Sequence, residues 1–198
     1  MTRAFAEITF TPSVRAAQKA QGSAVGYEKL LAADAAALDT LEDREIAFIT
    51  ARDGFYQASV SETGWPYVQF RGGPAGFLKV LDDRTIAYAD FRGNRQYVST
   101  GNLSADGRVS LILMDYPNRR RLKIWGRARL VERDDDPALV ERLHVAGYPA
   151  RPERAVVITV EADDWNCPQP IPQRFTLAEL AEAGVIEPGV VEPGDPTP

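Results

Sequence analysis

Cysteine occurs once in this chain of 198 residues, at Cys167, and histidine once, at His144. A lone thiol closes no internal disulfide and, without companions, builds no tetrahedral zinc site, so neither staple accounts for stability. Cys167 has proline neighbours and no activating base, and it reads as a packing residue. No serine or cysteine arrangement beside His144 marks a nucleophilic triad, so it is assigned no role. Long apolar runs are also missing: none approaches the roughly 20 residues that a bilayer-spanning helix needs. Glu7 and the polar stretch from Ser13 to Ser23 replace the apolar segment of a secretory signal, which makes cytoplasmic residence the expectation. Positive charge is not in excess either. The net charge of −5 disfavours bulk attraction to nucleic acid and leaves any anion site to a local cluster. The run Asp134-Asp135-Asp136 lacks carboxylate partners at a ligand spacing and reads as a solvated lead-in to a helix, not a metal site.

What is present is period-two alternation. Thr11-Pro12-Ser13 opens a polar helix from Val14 to Gln21, ended by Gly22, and Leu38, Leu41, Glu45, Phe48 and Ile49 predict a second helix from about Asp34 to Ala51. Beyond Gly54, Tyr56, Ala58 and Val60 alternate with polar residues, Glu62-Thr63-Gly64 turns, and Val68 and Phe70 alternate with Tyr67, Gln69 and Arg71, which describes a hairpin. Phe77 to Leu81 and Thr85 to Ala89 form a second strand pair around Asp82-Asp83, and a short helix follows Gly93, capped by Asn94 and ending near Gly101-Asn102. Val109 to Met114 is a continuous apolar run, expected of a strand buried on both faces. From Arg121 to Leu130 the odd positions Arg121, Lys123, Trp125, Arg127 and Arg129 make one face basic. Asp136-Pro137 starts a brief helix, Val156, Ile158 and Val160 supply a last strand, and Thr176 to Ala183 is a short helix before an acidic, proline-rich tail. Short turns with helices at the ends predict a mainly β fold, a closed or partly closed barrel with peripheral helices, not a doubly wound parallel sheet. The expected division is an N-terminal arm over 1–33, the barrel domain over 34–175, and a C-terminal helix and tail over 176–198.

Three segments carry chemistry, each with a plainer alternative. Arg92-Gly93-Asn94-Arg95-Gln96 combines guanidinium groups with the entrance of a helix, which is what a nucleotide phosphate needs, and Lys79 on the preceding strand adds charge; a solvated helix cap fits the same residues. Gln69 and Arg71 share one strand face, where an amide and a guanidinium suit a ring carbonyl or the N1–C2 edge of a flavin; an exposed antiparallel face fits too. Gly72 and Gly73 follow directly and permit a bulge or a close backbone approach. In Trp165 to Phe175, prolines hold Gln169 and Arg174 on a stiff loop, which also reads as a rigid crossover that lets Trp165 and Phe175 cover the core.

The order of these segments resembles the pyridoxamine 5′-phosphate oxidase-like family of FMN-binding split barrels over roughly Asp34 to Phe175. The resemblance rests on Tyr67 to Pro74, Gly76 to Val80, Gly93-Asn94-Arg95 and Trp165 to Gln169, which look like a branch known only as flavin-nucleotide-binding. It implies a six-stranded antiparallel split β-barrel, FMN as cofactor, and a homodimer with the cofactor at the subunit interface. Arg95, Gln96 and Lys79, with Gly93 and Asn94, then lie near the phosphate, Gln69, Arg71, Gly72 and Gly73 near the ring, and Tyr88, Ala89 and Asp90 along the ribityl chain. Trp165, Arg174 and Phe175 look similar to the closing segment that reaches the flavin of the partner subunit, with a spacing one residue shorter, and Gln169 on the same loop is a further cofactor-binding candidate. Pro170-Ile171-Pro172 stands where the true oxidases hold pyridoxine phosphate, so the resemblance does not extend to vitamin B6 oxidation. The implied activity is FMN-dependent hydride transfer to or from an unknown small molecule. A non-catalytic flavin carrier is the alternative, and a single-stranded nucleic-acid platform on the Trp125 face is a third.

Overall fold

The computed structural model describes residues 3–31, 40–165 and 169–187. The strands are β1 (Gly54–Val60), β2 (Pro66–Gly72), β3 (Lys79–Asp82), β4 (Thr85–Phe91), β5 (Arg108–Asp115), β6 (Arg120–Glu132) and β7 (Pro152–Trp165). The helices are α1 (Arg3–Thr9), α2 (Pro12–Ala20), α3 (Ala24–Glu28), α4 (Asp43–Thr50), α5 (Val98–Ala105), α6 (Pro137–Leu143) and α7 (Leu177–Glu182). All strand pairs are antiparallel and form one open sheet in the order β2-β1-β5-β6-β7-β4-β3. The resemblance implied six strands and the sheet has seven; the pair read from the sequence around Asp82-Asp83 is present as β3 and β4, with β3 at the edge. Mainly antiparallel β with peripheral helices holds; no ladder joins the edges β2 and β3 among the described residues.

The sheet curls so that its inner face makes the core. Phe55 of β1 stacks on Phe77 at 5.6 Å and meets Tyr88 of β4 edge-on at 5.4 Å, although three strands, β5, β6 and β7, lie between β1 and β4 in the sheet. Leu111, Leu113, Leu122, Ile124 and Ile158 fill the space between, each fully buried. Such a side chain stabilises the fold by roughly 1.5–3 kcal/mol relative to exposure. Gly126 sits where β6 shifts register against β7, and a Cβ there would collide with the carbonyl oxygen of Thr159, so the strands approach as closely as they do only because the residue is glycine.

The outer face is covered in two places and bare in a third. α6, capped by the Asp136 carboxylate, lies over Ala87, Ala89, Ala155 and Val157. α1 lays Phe5 against Trp125 and Ala162. Over β1 and β2 nothing among the described residues covers Tyr56, Val68 and Phe70, which stay exposed.

Several expectations change. Residues 34–39 of the helix expected from Asp34 to Ala51 lie outside the described residues, and its remainder begins only at Asp43, with Leu41 buried ahead of it. Cys167 and the tail from 188 also lie outside them. The helix expected after Gly93 begins at Val98: Arg95 and Tyr97 take left-handed backbone conformations (φ 63° and 53°), and Asn94 accepts from the Gln96 N–H in a local turn and caps no helix. β5 is buried on one face only, with Ile112 and Met114 half-buried on the other, since no helix among the described residues reaches over them. The basic face of β6 is partly spent in place: Lys123 pairs with Asp164 at 2.5 Å, Arg127 with Glu161 at 2.6 Å, and Trp125 packs under Phe5. With Trp125 packed against Phe5 and two of the four cations paired, this face is less suited to stack and hold a single strand.

Candidate functional site

Alternation along β2 turns Tyr67, Gln69 and Arg71 to the inner side of the hairpin, opposite Ser59, Gln57 and Phe55 of β1. Being on the edge strand, this row meets no further strand. It faces the segment from Phe91 to Tyr97 and the first turn of α5, and the space between is a cavity of about 240 Å³. Gln69, Arg71, Asp90, Gly93, Asn94, Arg95 and Gln96 all line it. The left-handed residues Arg95 and Tyr97 belong to its wall; a non-glycine residue held there costs about 1–3 kcal/mol, a strain found chiefly at binding sites.

The donors are oriented. The Tyr67 hydroxyl donates to Gln69 Oε1 at 2.6 Å, which fixes the amide and leaves its NH2 as the group to offer. Arg71 donates to the buried Asp90 carboxylate at 3.0 Å, and Arg154 approaches the other oxygen of Asp90 at 3.4 Å. One carboxylate thus lies between two guanidiniums. Beneath them the Tyr88 hydroxyl donates to Gln57 Oε1 at 2.8 Å; burial pushes its phenol pKa well up, against the opposing charge of Arg71, so it stays a donor. Gln57 Nε2 and Arg71 Nε are buried with no hydrogen-bond partner among the described residues. A buried donor left unmade costs about 1–3 kcal/mol, and of the two only Arg71 lines the cavity, where its free N–H suits a ligand edge rich in acceptors.

The remaining expected residues lie apart from this cavity. Gly72, Tyr88 and Ala89 line an adjoining cleft of about 150 Å³ that shares Arg71 and Asp90 with it. Gly73 packs on the Phe77 ring, and Lys79 reaches the Gly76 carbonyl at 3.5 Å. Trp165 ends β7, donates to the buried Glu45 at 2.6 Å and carries the Arg44 guanidinium over its ring. Gln169 and Phe175 are exposed, and Arg174 lies over Tyr116, in a segment tied to the β5–β6 turn by Gln173, which donates to the Pro117 carbonyl. Sequence reasoning missed Tyr67, Tyr97, Ser99, Thr100 and Glu153. Tyr67 was within reach, two positions before Gln69 on the same face. Glu153 was not, because it arrives through the β4–β7 pairing.

The sequence model of the family described as pyridoxamine 5′-phosphate oxidase matches residues 19–166. No curated protein matches the chain significantly. Among solved structures, a conserved hypothetical protein from Mycobacterium tuberculosis is 18% identical, with 71% of this chain and 94% of that one covered and a TM-score of 0.49. An FMN-binding protein from Syntrophomonas wolfei is 12% identical over 63% of this chain and 88% of its own, with a TM-score of 0.48. General stress protein 26 from Bacillus anthracis is 13% identical over 60% and 88%, with a TM-score of 0.46.

Proposed function

Since the chain belongs to the pyridoxamine 5′-phosphate oxidase family, we propose that it is an FMN-binding oxidoreductase that holds its cofactor in the cavity between β2 and the segment from Phe91 to Tyr97. The observation that carries this is the row of oriented donors: the Gln69 amide and the Arg71 guanidinium, with Arg71 Nε buried and unpartnered, on a cavity also lined by Arg95 and Gln96. In this reading Gln69 and Arg71 meet the acceptor edge of the ring, and Arg95 and the Gln96 backbone hold the phosphate. Bound FMN supplies hydride transfer at N5. The chain contributes orientation and positive charge at the ring edge, with Asp90 keeping Arg71 in place, and no general base is assigned.

The proposed assembly is a homodimer. Val68 and Phe70, on the outer side of β2, are 59% and 54% exposed, while Gln69 and Arg71 on its inner side line the cavity. A second copy seated on that apolar face lies within one strand of the cofactor, and the Trp165 to Phe175 segment is the part proposed to reach across to the partner's flavin. Pro170-Ile171-Pro172 leaves no cation for pyridoxine phosphate, so the substrate is another small molecule.

An absorbance spectrum of freshly purified protein, followed by FMN titration of any colourless preparation, tests the reading. The expected result is stoichiometric binding, weakened about tenfold or more by Arg95→Ala. Unchanged affinity removes Arg95 from the site, and absence of binding by the parent protein ends the reading. Reduction of the bound cofactor by NADH or NADPH, with turnover on an acceptor, separates an enzyme from a carrier.

A further inference from the structure

A second cavity, of about 330 Å³, adjoins the first and shares Glu153 with it. We propose that this groove, walled by Arg92, Arg133, Arg151 and Arg154, binds the diphosphate of a co-substrate such as a dinucleotide electron donor. The ligand class rests on the flavin reading above; the anion site itself does not.

The arginines of this groove differ in how far their donors are used. Arg154 is spent: its side chain is 12% exposed, and it donates to Glu132 at 2.9 Å and to Asp90 and Thr100 at 3.4 Å. Arg92 comes no nearer than 3.9 Å to Glu153, and Arg133 no nearer than 3.7 Å to Glu141, both beyond hydrogen-bond reach. Arg133 otherwise gives one bond, to the Pro152 carbonyl at 3.3 Å. The Arg151 side chain makes no ion pair among the described residues. Three guanidiniums with N–H groups to offer therefore converge on one concavity, and paired N–H forks are the geometry that phosphate oxygens take up best.

The carboxylates in the groove do not cancel this. Glu132 is held by Arg154, and Glu153 accepts from the Tyr97 hydroxyl at 3.3 Å on the side of the first cavity. Asp134 has no partner among the described residues, and it lies in the exposed turn before α6. The backbone is fixed as well: the Arg92 N–H donates to the Arg151 carbonyl, which ties together the two segments that carry the cations. Asp90 links the two cavities, since it receives Arg71 from one and Arg154 from the other.

The test is calorimetric titration of the full-length chain, saturated with FMN, with inorganic pyrophosphate at fixed ionic strength. One site per chain is expected, weakened about tenfold or more by R133A/R151A while FMN affinity stays within about twofold. R151E, at an exposed position, gives the same reading if the double variant folds poorly. No binding, binding indifferent to R151E, or displacement of FMN by pyrophosphate overturns the proposal. If the chain takes up no FMN at all, pyrophosphate binding that falls with R151E and not with Arg95→Ala keeps the groove and discards only the dinucleotide assignment.

Discussion

The inner rows of β2 and β5 follow one geometric rule with opposite chemistry. Along β2 the row is Tyr67, Gln69, Arg71; along β5 it is Val109, Leu111, Leu113, Asp115. β5 lies between β1 and β6, so its row meets side chains from across the curled sheet and is dry. β2 is an edge, so its row meets a loop and the start of a helix, with room left over. Each row ends in a charge. Asp115 is saturated, by Arg120 at 2.9 Å, by Asn118, and by Arg52 at 3.8 Å. Arg71 has one carboxylate and keeps a buried N–H without a partner. A central row is complete without a ligand; the edge row is not.

The largest effect expected from this contrast is on stability. Leu111→Ala should cost about 2–5 kcal/mol in chemical unfolding, whereas Gln69→Ala should cost less than about 1 kcal/mol, because only the first opens a cavity in packed surroundings. Equal losses would mean that β2 is as much core as β5. Next comes ligand affinity: Arg71→Ala should weaken FMN binding by about 1.5–3 kcal/mol in a fluorescence titration, and Arg71→Lys should not restore it fully, since one ammonium cannot replace a fork.

Acid response distinguishes the two terminal charges. Burial pushes the Asp115 carboxyl up, but hydrogen bonds from Arg120 and Asn118 and the charge of Arg52 outweigh it and hold its pKa below the ordinary 3.8. A carboxyl depressed in the folded state contributes stability that is complete above its unfolded pKa and disappears as pH falls through the folded one. Asp115→Asn should therefore lower stability at pH 7, with a deficit that shrinks below about pH 4 in thermal melts. A constant deficit at all pH values would show that shape, not charge, matters there. The smallest effect on folding is expected from V68K/F70K on the outer side of β2, which should turn a dimer into a folded monomer in size-exclusion chromatography with an unfolding midpoint little changed. A dimer that survives both lysines places the interface elsewhere.

Much of this was legible from local pattern. The hairpin of β1 and β2, the Asp136 cap with Pro137, and the short helix that follows Thr176 depend on neighbours a few residues apart, and they form where expected. The site was legible in part, because Gln69, Arg71 and the segment from Gly93 to Gln96 carry their chemistry on their side chains. What stayed hidden depends on distant partners. Trp165 looked like a loop residue until the fourteen-residue β7 ran through it to Glu45. Lys123 and Arg127 looked like a cationic face until β7 set Asp164 and Glu161 beside them.

Period and composition alone thus determined that the chain is mainly antiparallel β, which faces its strands present, and which residues carry usable donors. The folded arrangement decided which face became dry, which cations were neutralised and where two cavities opened around Asp90. The physical reason is that alternation is a property of one strand, whereas desolvation and ion pairing belong to pairs of residues brought together from far along the chain.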